Sequence, residues 1–165
     1  MMKKNLLTAL LAAALTIAMT TFVIRAYGLQ ENPTFPGDTL QEYIENITSS
    51  GEVKTVYPEA ENTLPMIRFS RTKDVPIEEG QYLEEVYQAH FEHDRSGQII
   101  SKTAIREYVF RDLTMTGIDY TCAEGNDKVH VLFLTRKEGT DMCTAVVLYE
   151  TLPSDLDDIL CEPPR

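Results

Sequence analysis

The stretch "TGIDYTCAEGNDKVHVLFLTRKEGTDMCTAVVLYE", Thr116 to Glu150, decides the fold. Three segments in it, Thr116–Cys122, Lys128–Thr135 and Cys143–Glu150, are rich in β-branched and aromatic residues, the composition of strands. The connectors "AEGND" and "RKEGTD" carry the glycine and aspartate of tight turns. Three strands joined by two short turns predict an antiparallel meander. In the second strand Val129, Val131 and Phe133 alternate with Leu132 and Leu134, so both faces are apolar. Such a strand needs cover on both sides of its sheet, or a central place in it.

Upstream of the meander the pattern is mixed. Asp38 is placed to cap a short helix over "DTLQEYIENI", with Leu40, Tyr43, Ile44 and Ile47 on one side. "EVKTVYP" and "PMIRFSR" alternate as strands around a loop bounded by Pro58 and Pro65. "PIEEGQYLEEVYQAHFEHD" repeats Leu83, Val86, Tyr87, His90 and Phe91 at helical steps. Ser101 is placed to cap a further helix over "KTAIREYVFRDL", although its branched and aromatic content also suits a strand. "SDLDDIL" reads as one acidic turn capped by Ser154. The expected class is α+β: an antiparallel sheet with a C-terminal three-stranded meander, packed by two or three helices.

The 165-residue chain opens on "MMKKNLLTALLAAALTIAMTTFVIRAYG". Lys3 and Lys4 precede an apolar and threonine run, and Ala26 and Gly28 supply small residues before a cut at Leu29. This is the layout of a secretory signal peptide over residues 1–28. The run is also long enough for an uncleaved single-pass anchor. Both readings send the acidic remainder across the membrane. Residues 29–37, "LQENPTFPG", form a linker, and 38–165 a single α+β domain. The expected location is periplasmic or extracellular, or membrane-anchored with an extracytoplasmic domain.

The formal net charge of −11 becomes three units more negative once residues 1–28, which hold Lys3, Lys4 and Arg25 and no acid, are removed. That field repels nucleic acid and anionic lipid and favours cationic partners. All three cysteines, Cys122, Cys143 and Cys161, follow the leader, so an oxidising compartment and one disulfide are expected. A turn near Gly125 sets Cys122 opposite Lys128, and a turn near Glu138–Gly139 sets Cys143 opposite Leu134. Those two cysteines then lie at opposite ends of the meander, too far apart for a bridge. The pairing expected is Cys122–Cys161, with Cys143 left over.

Chemistry is concentrated in "HFEHDRSGQII", His90 to Ile100. His90, His93 and Asp94 fall on one side of a helix and are the candidate metal ligands. The overlapping "EHDRSGQIISKT" resembles one half of an EF-hand: Gly97 holds the sixth loop place, Asp94 the third and Ile99 the eighth. The resemblance implies a calcium loop following a helix. It departs at the first and twelfth places, where Glu92 and Thr103 stand instead of a short carboxylate and a bidentate glutamate. The alternative use of Asp94, Ser96 and Gly97 is a helix-ending turn with a positive φ at Gly97.

His130 is a lone strand histidine, Asn46-Ile47-Thr48 is a glycosylation sequon, and neither a catalytic serine motif nor a phosphate loop occurs. No cofactor is implied. The function expected is that of an exported, acidic, non-enzymatic binding protein (an inhibitor, immunity-type or envelope accessory factor) that engages a protein partner with a basic face. The alternatives are a metal-dependent protein using the His90–Asp94 region and a membrane-tethered structural subunit.

Overall fold

In the computed structural model, which describes residues 35–161, the predicted meander is the centre of a larger sheet. Strand β1 spans Glu52–Val56, β2 Met66–Thr72, β3 Ile99–Lys102, β4 Arg106–Phe110, β5 Leu113–Glu124, β6 Asp127–Glu138 and β7 Asp141–Tyr149. The spatial order is β1-β2-β7-β6-β5, with both β3 and β4 on the outer edge of β5, and every pairing is antiparallel. The fold is therefore α+β, as the composition of the strands and helices implies.

The two turns of the meander are two-residue loops whose first residue is Gly125 (φ +63) or Gly139 (φ +65). A glycine there lets the turn follow the twist of its flanking strands. These turns shift both expected registers. Cys122 pairs with Val129 rather than Lys128, and Cys143 with Arg136 rather than Leu134. A slip of one residue exchanges faces and a slip of two preserves them.

One face of the sheet is covered by two helices. Helix α1, Leu40–Ile47, starts at a capping box formed by Thr39 and Glu42, so the cap is Thr39 and not Asp38. Glu124 at the end of β5 also accepts from the Leu40 amide at 2.8 Å. Helix α2 runs through an α-helical turn, Glu79–Tyr82, a π-helical stretch, Leu83–Gln88, and a second α-helical part, Ala89–Asp94. Its buried residues Leu83, Tyr87 and Phe91 stand four apart. In an α-helix residues four apart drift by about 40° around the axis. The wider i→i+5 turns unwind that drift and keep the three side chains in line over the sheet. Phe91, Tyr120 and Phe133 meet there, with centroids 4.8 Å apart for Phe91–Tyr120 and 5.2 Å for Phe91–Phe133.

The second face is smaller in cover. Ile67, Leu132, Leu134, Val147 and Phe110 pack under a short helix α3, Leu156–Cys161, through Leu156 and Leu160. This supplies the two-sided cover that the apolar faces of β6 demand.

The helix expected over "KTAIREYVFRDL" is a correction. That segment forms the end of β3 and all of β4. Arg106, Tyr108 and Phe110 pair with Gly117, Met115 and Leu113 and share their face. The long β5 would otherwise present a bare edge, and pairing it satisfies more backbone groups than an isolated helix could.

Candidate functional site

The residues "HFEHDRSGQII" do structural work. Asp94 ends α2 with its side chain only 3% exposed. Its Oδ2 accepts from the Phe35 amide and the Tyr43 hydroxyl, both at 3.1 Å, and its Oδ1 faces His93 Nδ1 at 2.9 Å. Burial alone would push this carboxyl up. The bonds from His93, Phe35 and Tyr43 outweigh burial and hold it below its ordinary value. The neighbouring Arg95 lies over the Tyr43 ring, 4.6 Å from its centroid, and donates to the Gly37 carbonyl. Asp94 and Arg95 therefore fasten the lead-in Phe35–Gly37 to the end of α2. His90 turns toward Phe35, edge to face at 5.3 Å. Among the described residues no three His, Cys, Asp or Glu side chains are grouped as a metal site would require. Gly97 has no left-handed φ. The turn closes by Gln98 N–H donating to the Arg95 carbonyl at 2.8 Å.

The three cysteines are unpaired in this structure, which does not contain the expected Cys122–Cys161 bridge. Cys122 is fully buried among the residues under α1 and α2, whereas Cys161 lies on the other face. The sheet itself separates them. Cys161 donates from Sγ to the Phe110 carbonyl at 2.8 Å. The reasoning from strand ends located the cysteines along the sheet but could not see which face each took.

The second face also carries, beside α3, an open groove of about 740 Å³. Its apolar lining includes Phe69, Ala145, Met115, Leu113 and Leu160. Across it runs a row in register: Glu52 opposite Arg71, Arg71 opposite Cys143, and Cys143 opposite Arg136. Arg71 pairs with Glu138 and Asp141, each at 3.1 Å, and Arg136 reaches the other oxygen of Glu138 at 3.1 Å. The guanidiniums are thus neutralised from within the protein. Burial pushes the Cys143 thiol up to about 11, with Glu138 adding to the effect and Arg71 and Arg136 only partly offsetting it. At neutral pH it is a thiol and not an activated nucleophile. The groove lining thus combines apolar side chains with the charged Glu52, Lys54, Arg71, Arg136 and Glu138. Sequence reading missed it because its lining comes from β1, β2, β5, β6, β7 and α3 together.

Several other bases are also paired internally, while the exposed Lys54, Arg106 and Lys128 have no ion pair among the described residues. Lys73 pairs with Glu52, Lys102 with Glu92, Arg111 with Asp158 and Lys137 with Glu78. Arg68 is turned inward onto Thr48, Thr55 and the Glu45 carbonyl. Glu59, Glu61, Glu84, Glu85, Asp112 and Asp157 stay exposed.

Asn46 lies within α1 and its amide donates to the Pro36 carbonyl, while Thr48 of the same sequon is buried. The leader expected over residues 1–28 and most of the linker lie outside the described residues. Among those described, no helix is long and apolar enough to cross a membrane. No family model and no curated protein matches the sequence.

Proposed function

We propose that this chain is an exported, acidic binding protein that acts without catalysis and engages a protein partner that carries a basic face. The observation that carries this reading is the spending of bases inside the fold. Six of the lysines and arginines are held in ion pairs with the protein's own carboxylates, while the chain holds 26 acids against 15 bases. Outside those pairs the exposed Glu59, Glu61, Glu84, Glu85, Asp112 and Asp157 outnumber the exposed Lys54, Arg106 and Lys128. Such a field speeds the encounter with a cationic surface more than it strengthens the final complex. The groove, whose lining includes the carboxylates Glu52 and Glu138, supplies a place for an apolar group of that partner. Metal-dependent action through His90, His93 and Asp94 has less support, since both oxygens of Asp94 already serve the protein's own groups.

The test begins with a partner captured by crosslinking in the native compartment. Its association rate with this chain should fall several-fold as salt is raised through the physiological range, with a smaller change in dissociation. An association rate indifferent to salt overturns the proposal. Mass spectrometry of the protein's N-terminus decides between a cleaved leader and a tether.

A further inference from the structure

The sheet has two outer edges, and they differ. On one, β3 and β4 share the flank of β5. The chain leaves the ladder between Lys102 and Arg106, and the register shifts between Ile99 and Ser101. Breaks and bulges of this kind keep another sheet from pairing there. The other edge is β1. It pairs with β2 in one unbroken register, from Glu52 opposite Arg71 to Val56 opposite Ile67. Among the described residues β2 is its only neighbour in the sheet, so the outward amides and carbonyls of β1 have no ladder partner there. Glu52, Val53 and Lys54 are exposed, the apolar Val53 at 36%. Val53 stands opposite Ser70, and Glu52 and Lys54 flank it on the other face of the strand. Glu52 and Lys54 are the charges that shield this edge. Lys73 lies 3.2 Å from Glu52, with both side chains well exposed. A pair so exposed to water is weak, and it does not withdraw Glu52 from a second cation.

We propose that a second copy of this chain covers that edge, the two β1 strands pairing antiparallel about a two-fold axis at Val53. A two-fold axis normal to the sheet sets one residue opposite its own copy, and the residues on either side exchange partners. The sequence of β1 then selects the register. Centred on Glu52 or on Lys54, the pairing opposes two like charges, which destabilises a ladder. Centred on Thr55 or Val56, it answers neither charge. Centred on Val53, it sets Glu52 of each copy opposite Lys54 of the other, and Val53 against Val53. Two ion pairs then lie on one face of the joined sheet and an apolar pair on the other. Glu52 and Lys54 also line the groove, and a two-fold axis normal to the sheet preserves its faces, so the two grooves open on the same side. The formal charge of −11 on each chain opposes the approach of two copies, and salt screens that repulsion. A contact between two short strands is small, so the association is weak and reversible.

The test is sedimentation equilibrium of the chain as isolated from its producing cell, at physiological salt and at concentrations up to about 1 mM. A reversible equilibrium between monomer and dimer is expected. Lys54→Glu and Glu52→Lys should each weaken it several-fold or more, because each sets like charges opposite one another. The double exchange, Glu52→Lys with Lys54→Glu, should restore it. At dilutions where the chain is monomeric, all three variants should melt near the parent, since both side chains are exposed. Val53→Cys should give, on mild oxidation, a disulfide joining position 53 of the two copies, because opposite residues of an antiparallel pair hold their alpha carbons about 4.5–5.5 Å apart. Val56→Cys should give none, since Ser50 of the other copy stands opposite it. A single monomeric species throughout, or a dimer indifferent to Lys54→Glu, overturns the proposal. So does a double exchange that fails to restore what the single ones lose, or crosslinking at position 56 instead of 53. Protection of the β1 amides from hydrogen exchange that appears only when the crosslinked partner is added assigns the edge to that partner and overturns the second copy.

Discussion

At the scale of single residues, the fold depends on positions whose importance lies in what surrounds them. Gly117 sits inside β5, where a Cβ would come within 2.6 Å of Leu134 Cδ2 and 2.8 Å of the Phe133 carbonyl. The carbonyl belongs to the backbone of the neighbouring strand and cannot step aside. Gly117→Ala is expected to cost about 1–3 kcal/mol, read by chemical denaturation, and to shift the Tyr108 and Leu134 resonances. Asp94 makes a prediction about pH. Its folded-state pKa is depressed, so the stability it contributes is complete above the ordinary carboxylate value of about 4 and is lost as pH falls through the folded value. Asp94→Asn should destabilise the protein by about 1–3 kcal/mol near neutral pH, and by less in acid. Denaturation curves that keep the same difference at both ends would refute this account. The two positions differ in legibility. Asp94 stood out as a carboxylate following two histidines, but its partners Phe35 and Tyr43 are 59 and 51 residues away. Gly117 offered no signal, because its constraint lies on another strand.

At the scale of elements, the helices and the meander were readable while the joints between them were not. The apolar spacing in Leu40–Ile47 and Leu83–Phe91 marks helices because one face of each is buried. The π-helical stretch leaves only a weak trace, a repeat of four in Leu83, Tyr87 and Phe91. Glu79 stands in the first turn of α2, where an acid suits the positive end of a helix. In the structure it ties α2 to the sheet: Oε1 accepts from the Lys137 amide at 2.7 Å and Oε2 from the Thr116 hydroxyl at 2.8 Å. Glu79→Ala removes both bonds and leaves the β6 amide without an acceptor. We expect a loss of about 1–3 kcal/mol, with faster hydrogen exchange across Glu79–Gln88 than across β6. Uniform acceleration across the whole protein would show instead that α2 does not open on its own. The segment after Gly97 was misread for a related reason. Its spacing fits a helix about as well as a strand, and the open edge of β5 settles the choice.

For the whole molecule, the sheet acts as a partition. It puts Cys122 under α1 and α2 and Cys161 beside α3, so no covalent link crosses it. Melting of the protein should therefore be the same with and without reductant. A melting temperature that drops on reduction would mean that a bridge forms which this arrangement forbids. The same partition gives the molecule two unlike surfaces. One is roofed by helices carrying exposed Glu84 and Glu85. The other carries the groove beside α3. Charge balance can be counted along the chain, since it depends on composition alone. The α+β class follows as well, because the period of apolar residues records which side of an element is buried. Register, facing and the meeting of distant residues cannot be counted in that way. They depend on turn geometry that moves a strand by one residue, and on which edge remains to be paired. The groove row Glu52–Arg71–Cys143–Arg136 exists only once those choices are made, because it draws its members from strands that touch solely in the folded sheet.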